Sequence, residues 1–547
     1  MVETAEQGAR KSMAAPQLGA LARQTVSADP EVSSRRAADQ IAWLRDYAPR
    51  RINSLLIDER RCIPPYIVQD FGRTGLFGPL IEEEYGGTAL LFRDMFRVFE
   101  QLMAIDTALG TWMTTSLFPG TRALSVWATR EIKQEWLPLL ASGRTLGAYA
   151  QTEPGAGSDF SQLSTTARPA SAGGWLLSGD KHWIGNGAWA GISTVIARLE
   201  AQRTGPSSLV ALAVPTASRG VRLGEEHLSF GQRGMVQNKM HFTDVVVPDS
   251  HVLADGNGRL AAMDSMCASR LALAAFALGA LKRIAQLAFR FARRRTTSGV
   301  PLMNRAVIRG WLADTVTRTD ILEALVYDLA DRLDTGQTVS IESAIAAKVL
   351  GSEWAVEAAD RLMQLLGGRG YDEANVAARM YRDLRVYRIF EGPTEALCDF
   401  LARRALRQSG QVRTMLSTYS GTDLARRFEA AVAARPTGDG LPDAPHAAVA
   451  DALMWTLAAG AVRRHSPHHT HAQRAAEAQL QRALDGVCAR GAGPTTASQD
   501  LLEGAADRYT QHIGDVVQQL PGAHCGLDPL LQPTRASGRA SRSATRP

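Results

Sequence analysis

Apolar positions recur at helical spacing over most of the chain. In Arg93-Asp94-Met95-Phe96-Arg97-Val98-Phe99-Glu100-Gln101-Leu102-Met103 they fall at i, i+3 and i+4. That texture predicts helices from about Arg35 to Leu146, punctuated at Gly75-Leu76-Phe77-Gly78-Pro79 and Tyr85-Gly86-Gly87. Between Gly147 and about Leu253 short β-branched or alternating runs replace it: Trp175-Leu176-Leu177, Thr194-Val195-Ile196-Ala197, Ser208–Val214 and Asp244-Val245-Val246-Val247. Gly, Pro and Ser clusters separate these runs, which predicts an antiparallel β-domain of about 100 residues. Helical periodicity returns from about Ala261 to Arg407, with stretches such as Ser269–Arg295 and Gly310–Thr335 long enough for a helix bundle. An Ala-rich segment follows, with helical pieces around Asp423–Ala434, Ala447–Arg464, Ala472–Arg490 and Ser498–Val517.

The predicted class is α+β, mostly α. A flexible arm (1–30) precedes an α-helical domain (31–146), a β-barrel domain (147–255), a four-helix-bundle domain (256–410) and a helical extension (411–532). A disordered Arg-rich tail (533–547) ends the chain.

Charge changes the picture less than it first suggests. The 547 residues carry a net charge of +6 and a pI near 9.2. The last fifteen contribute +4 through Arg535, Arg539, Arg542 and Arg546, leaving +2 on the rest. A basic nucleic-acid face on the folded body is therefore not expected. Only six basic residues are Lys: 11, 133, 181, 239, 282 and 348. The five cysteines are far apart with no CxxC spacing, which argues against a disulfide framework or zinc site and for a reducing, cytoplasmic setting. No apolar signal region opens the chain and no membrane span is expected. The cluster His465, His468, His469 and His471 matches no metal-ligand spacing and reads as a solvated loop.

Four motifs carry candidate chemistry. The first, Ala148-Tyr149-Ala150-Gln151-Thr152-Glu153-Pro154-Gly155-Ala156-Gly157-Ser158-Asp159, is a polar loop whose glycines permit close backbone approach to a ligand. The second, Ser178-Gly179-Asp180-Lys181-His182-Trp183-Ile184-Gly185-Asn186, holds a Trp that either flanks a planar ring or belongs to the core. The third is Gln364-Leu365-Leu366-Gly367-Gly368-Arg369-Gly370-Tyr371. The fourth runs from Tyr381 to Glu395 and places Glu391 between Phe390 and Gly392-Pro393. Burial there would raise its pKa toward that of a base near neutrality.

Together, in this order and on this helix–strand–helix layout, the motifs resemble the acyl-CoA dehydrogenase family of flavoproteins. Further segments agree: Gly75–Gly78 leading to Glu83-Glu84-Tyr85-Gly86-Gly87, Gln134–Leu140, Phe242–Pro248 and Arg295–Leu302. The resemblance covers about residues 31–410. It implies FAD held between barrel and bundle. Tyr149, Gln151 and Thr152 would border the isoalloxazine, and Gly157 and Ser158 would reach the flavin phosphates or the substrate's thioester arm. Trp183, Ile184 and Gly185 would lie near N5. Arg295, Gln364, Gly367 and Gly368 would reach the FAD of a neighbouring subunit, and Pro393 and Glu395 match positions beside the cofactor. Arg270 matches a residue of the substrate-arm region. Glu391 matches the usual catalytic base; the alternative base position in some relatives is here Ser269, which cannot serve.

The implied activity is α-proton abstraction by Glu391 with β-hydride transfer to the flavin, giving an α,β-unsaturated thioester. The carrier is CoA or an acyl carrier protein, as in relatives from secondary-metabolite pathways, and the electron acceptor is electron-transfer flavoprotein or oxygen. Several positions depart from the pattern: Pro393 replaces a hydroxyl residue, Gly185 a Thr or Ser, Ser298 a Phe, Ala306 a Gln, and Cys267 a CoA-contacting acid. Two alternatives stand beside the main reading. One is an oxidase or flavin monooxygenase on the same scaffold, although monooxygenase relatives often lack the base. The other is a non-enzymatic flavoprotein that binds DNA through its Arg tail. The placement of 411–532 resembles that of an extension in long-chain relatives and implies a homodimer. Trp112, Met113 and Phe118 are candidates for the acyl-pocket lining.

Overall fold

The computed structural model describes residues 20–21, 28–157, 159–200, 209–435, 444–466, 468–489 and 499–513. The arm up to residue 19, Ser158, Cys525 and the Arg-rich tail lie outside them. A two-residue strand, β1 (Ala20–Leu21), comes first. Seven helices then make the N-terminal layer: α1 (Pro30–Arg51), α2 (Ser54–Arg60), α3 (Pro65–Arg73), α4 (Phe92–Ile105), α5 (Thr107–Thr115), α6 (Arg122–Trp127) and α7 (Arg130–Ala141). Local chemistry sets several starts. Asp29 accepts from the amides of Glu31 and Val32 at the head of α1, and Asp106 from Leu109 at the head of α5. A π-helical turn at Ser116–Thr121, with Pro119 inside it, joins α5 to α6.

The β-domain contains β2 (Leu146–Ala150), β3 (Thr166–Pro169), β4 (Trp175–Gly185), β5 (Ala190–Leu199), β6 (Leu209–Pro215), β7 (Val221–Glu226) and β8 (Gln237–Val247). Pairs β3–β4, β4–β8, β7–β8 and β5–β6 are antiparallel. The domain is not antiparallel throughout, because β2 and β3 run parallel to β5. The long excursion between β2 and β5 supplies the crossover that a parallel pair needs. Ala148, Val195, Val210, Leu212, Val214, Met240, Phe242 and Val245 fill the interior of this curved sheet.

The bundle contains α8 (Gly258–Arg294), the small hairpin β9 (Thr296–Thr297) and β10 (Val300–Pro301), then α9 (Ala306–Asp334). It continues with β11 (Val339–Ser340), α10 (Ile341–Leu366), α11 (Gly368–Tyr371), α12 (Val376–Arg385) and α13 (Thr394–Arg407). β1 pairs with β11, so the arm is anchored at that point. Asn257 caps α8 and Ser340 caps α10. By length and apolarity α8 could cross a membrane, but 72% of its most apolar window is buried inside the protein, where it is the central core helix. Phe99 of α4 packs edge-on against Phe276 of α8 at 5.3 Å and Phe118 at 5.9 Å. Each such buried side chain contributes roughly 1.5–3 kcal/mol. Asp334, the last residue of α9, accepts from the Phe92 and Arg93 amides and so caps α4 across the domain boundary.

The extension begins earlier than its periodicity indicates, with α14 (Ser409–Ser420), followed by α15 (Thr422–Ala433), α16 (Ala444–His465) and α17 (Thr470–Cys488). Trp455 packs on Trp354 of α10 at 5.7 Å, and Arg464 makes a two-pronged pair with Asp328 of α9 at 2.9 and 2.7 Å. The His cluster is part of this seam, with His465 near Asp328 and Asp331 and His471 on Asp320. Among the described residues no cluster of His, Cys, Asp or Glu could hold a metal. A separate unit contains α18 (Gln499–Ile513).

Candidate active site

Glu391 lies in the turn between α12 and α13, in the left-handed region at φ 56°, and is followed by Gly392 at φ 100°. A non-glycine residue there is uncommon and marks a conformation imposed by its surroundings. Arg270 of α8 donates from Nε to the Glu391 carbonyl at 3.0 Å, and Lys348 of α10 donates to the Gly392 carbonyl at 2.7 Å. Oε2 of Glu391 is buried without a hydrogen-bond partner. Burial raises the pKa of the carboxyl, against the opposing influence of Arg270, a hydrogen bond from Ser269 and the charge of Lys348. A free, desolvated carboxylate oxygen beside fixed cations is the arrangement a general base needs.

Tyr149, near the end of β2, neighbours Glu391 and Arg270. Burial, then the neighbouring Glu391, raise its pKa while Arg270 lowers it, and its hydroxyl donates to Gln151 Oε1 at 2.6 Å. The loop after β2 is held from beneath by Lys181 of β4, which reaches the Gln151 carbonyl at 2.9 Å, Glu153 Oε1 at 2.7 Å and the Ile196 carbonyl at 2.8 Å. Burial pushes the Glu153 carboxyl up, but Lys181, Ser164 and Thr165 overcome it and bring the pKa to about 2.

The first and second motifs meet directly, because the His182 amide donates to the Thr152 carbonyl at 2.9 Å. Strand β4 carries the second motif and bends there, with register shifts on both sides. Trp183, at φ 54° and 55% exposed, stacks on His227 at 5.5 Å, whereas Ile184 is buried. A Cβ on Gly185 would stand 2.8 Å from Thr115 Cγ2, so a methyl from α5 occupies the space that a hydroxyl residue would take.

The remaining predicted residues divide by location. Gly157 is exposed on the first loop. Arg295 is the C-cap that follows α8, Gln364 stands near the end of α10, and Gly367 (φ 61°) and Gly368 follow; all four are exposed. Pro393 precedes the first residue of α13, and Glu395 is an exposed residue of its first turn. Ser158 lies outside the described residues. Trp112, Met113 and Phe118 are core residues: Trp112 packs on Phe71 and Phe77, and Phe118 on Phe99.

FAD can be tested against this set. A Cβ at Gly155, Gly157, Gly367 or Gly368 would meet nothing within 4 Å, so both glycine loops face open space. Trp183, 55% exposed, follows His182, whose amide is bonded to Thr152, and Tyr149 of β2 neighbours Glu391. The donor set is polar and aromatic rather than metal-binding, and it fits a flavin. Sequence reasoning did not identify Lys348 or Lys181, both fully buried. The signal was present for Lys348, a rare Lys inside the apolar run Ile345-Ala346-Ala347-Lys348-Val349-Leu350.

Three models of acyl-CoA dehydrogenase domains match the chain: N-terminal over 41–144, middle over 148–245 and C-terminal over 256–406. The very long-chain specific acyl-CoA dehydrogenase of Macaca fascicularis is 32% identical over 63% of this chain. That match spans only 53% of the relative's own length. An acyl-CoA dehydrogenase of Bacillus subtilis is 31% identical over 64% of this chain and 93% of its own. An acyl-CoA dehydrogenase from Bacillus anthracis, solved in complex with FAD, shares the fold with a TM-score of 0.70 at 22% identity, covering 85% of this chain and 89% of its own. The chain belongs to the acyl-CoA dehydrogenase family.

Proposed function

We propose that this protein is an FAD-dependent dehydrogenase of acyl thioesters. The observation that carries the reading is Glu391, a buried carboxylate with an unpartnered Oε2 in a turn held by Arg270 and Lys348. When bound, FAD supplies the acceptor for the β-hydride. The chain's own residues do the rest. Glu391 takes the α-proton of the thioester, and a pKa raised by burial makes its carboxylate a stronger base than an exposed one. Burial keeps water from the carboxylate, which strengthens its interaction with Arg270 and Lys348. Ser269 and Arg270 orient the carboxylate and the turn that bears it.

Arg295, Gln364, Gly367 and Gly368 are exposed on one chain, which supports their use toward a second subunit and hence a homodimer. The carrier is CoA or an acyl carrier protein, and the electron acceptor is an electron-transfer flavoprotein or oxygen. Anaerobic titration of the purified flavoprotein with acyl-CoA and acyl-carrier thioesters tests the reading. Bleaching of the flavin with formation of the unsaturated thioester is expected with one carrier class. Absence of bleaching with every thioester of either class would remove it. Admitting oxygen afterwards separates oxidase from dehydrogenase by the rate of recolouring.

A further inference from the structure

We propose that Lys348 is a positioning residue for Glu391: its ammonium grips the Gly392 carbonyl and, together with Arg270 on the Glu391 carbonyl, holds the turn that presents the base. The inference rests on the reading of Glu391 as that base. Two consecutive peptide carbonyls, 391 and 392, are each taken by a different buried cation from a different helix, at 3.0 and 2.7 Å. Both residues have positive φ, at 56° and 100°. The turn cannot be closed by an amide at position 393, because Pro393 has no N–H to donate. The donors therefore come from outside.

Helix α10 supplies a second hold. Five residues beyond Lys348, Glu353 accepts from the Thr394 hydroxyl at 2.7 Å and pairs with Arg388 at 2.7 Å, fixing both flanks of the segment that contains Glu391. A lysine with no exposed surface is costly unless its charge is used. Here burial lowers its pKa to about 8, opposed first by the charge of Glu391, while Arg270 lowers it and Glu353 and Cys398 raise it. The groups facing Glu391 are Arg270 and Ser269 of α8, Lys348 of α10 and Tyr149 of β2. The ammonium thus acts twice, as a donor to the turn and as a cation that favours the carboxylate form of the base.

The test compares FAD-loaded wild type, Lys348→Met, Lys348→Arg and Glu391→Gln. Three quantities are measured: FAD bound per chain, the pH profile of kcat/KM, and deuterium uptake from D2O at the α-carbon of acetyl-pantetheine. That probe has an α-proton but no β-hydride, so it reports proton abstraction without turnover. Lys348→Met is expected to keep its FAD and to lose deuterium uptake about 100-fold through displacement of the base. Its acidic limb should move to higher pH, because a cation beside the carboxylate has gone. Lys348→Arg should return the limb toward its wild-type position. Where Lys348→Met does not accumulate as folded holoprotein, Lys348→Gln, which keeps a donor without the charge, takes its place. Wild-type uptake and an unmoved limb in the neutral variant would overturn the proposal. So would parallel loss of FAD and uptake in both neutral and Arg variants, which marks a purely structural role. If wild type and Glu391→Gln show the same uptake, the base reading itself falls, and the Lys348 inference with it.

Discussion

The burial that penalises the charge of Glu391 is also what supports its proposed role as base. Desolvation raises its pKa, and Arg270, Ser269 and Lys348 keep the ionised form accessible. Glu391→Gln preserves shape and removes the proton acceptor, so dehydrogenation should fall at least about 100-fold with FAD content unchanged. Steady-state kinetics beside the flavin absorbance checks this, and full activity would remove Glu391 from the mechanism. In the wild type, kcat/KM should rise as pH increases through the elevated Glu391 pKa, since only the carboxylate accepts the proton. Gly185 offers a second test. Its Cβ position lies 2.8 Å from Thr115 Cγ2, so Gly185→Ser should destabilise by about 1–3 kcal/mol through overpacking. Adding Thr115→Ser removes the offending methyl and should recover much of that loss, a coupling that urea unfolding of the four proteins measures. Additive effects would show that the two side chains do not share the space.

Helices were more legible than strands, and the difference is physical. The amphipathic α4 announces itself by spacing alone, whereas β2, β3 and β7 are only five, four and six residues long, too short for a strand pattern to stand out. Trp183 sits within strand β4 and is largely exposed, and the register shifts of that strand leave no mark in composition. The motif marks Glu391, and the resemblance marks Ser269; that Ser269 and Lys348 act on the Glu391 turn, and that Glu353 holds its flanks, follows only from the packing of α8 and α10 against it. Helix α14 escaped because its apolar residues are sparse. The α9–α16 seam likewise depends on residues far apart in sequence. Asp328 accepts from Arg464, is reached by Arg332 at 3.2 Å, and is nearly inaccessible. Burial alone would raise the Asp328 pKa, yet His465 and Arg464 hold it well below the usual carboxylate range. Because its folded pKa is depressed, the stabilisation is fully present above the unfolded value near 4, starts to fall below it, and is lost only as pH falls through the folded pKa. Asp328→Asn should therefore cost about 2–3 kcal/mol at pH 7, a figure reduced from that of a fully buried pair because Arg464 is partly exposed. The difference between wild type and variant should be constant above about pH 5, begin to shrink near pH 4, and go on shrinking through the lowest pH at which the protein stays folded. A pH-independent difference would mean that packing, not charge, holds the seam.

On the scale of the molecule, the charge that first drew attention to nucleic acid resides largely in a tail, and the catalytic reading depends on 41–406. Helices α14 to α17 beyond them are integral to the same body. α14 to α17 bury Leu416, Leu424, Phe428, Leu453, Leu457, Val462 and Leu480 in a core continuous with the bundle, and Trp455 covers Trp354. A chain ending at Arg407 would uncover that face of α9 and α10 while leaving Asp328 with only Arg332 as an ion-pair partner. An apolar patch of this kind promotes association. Light scattering should give a homodimer for the full chain and larger assemblies or aggregate for the truncated one. FAD retained by the truncated protein would locate the defect in the uncovered face, since Tyr149, Glu391 and Lys348 all lie before the cut. A truncated chain that remained a soluble dimer with an unchanged melting temperature would show that the bundle needs no cover, and that the extension serves another purpose.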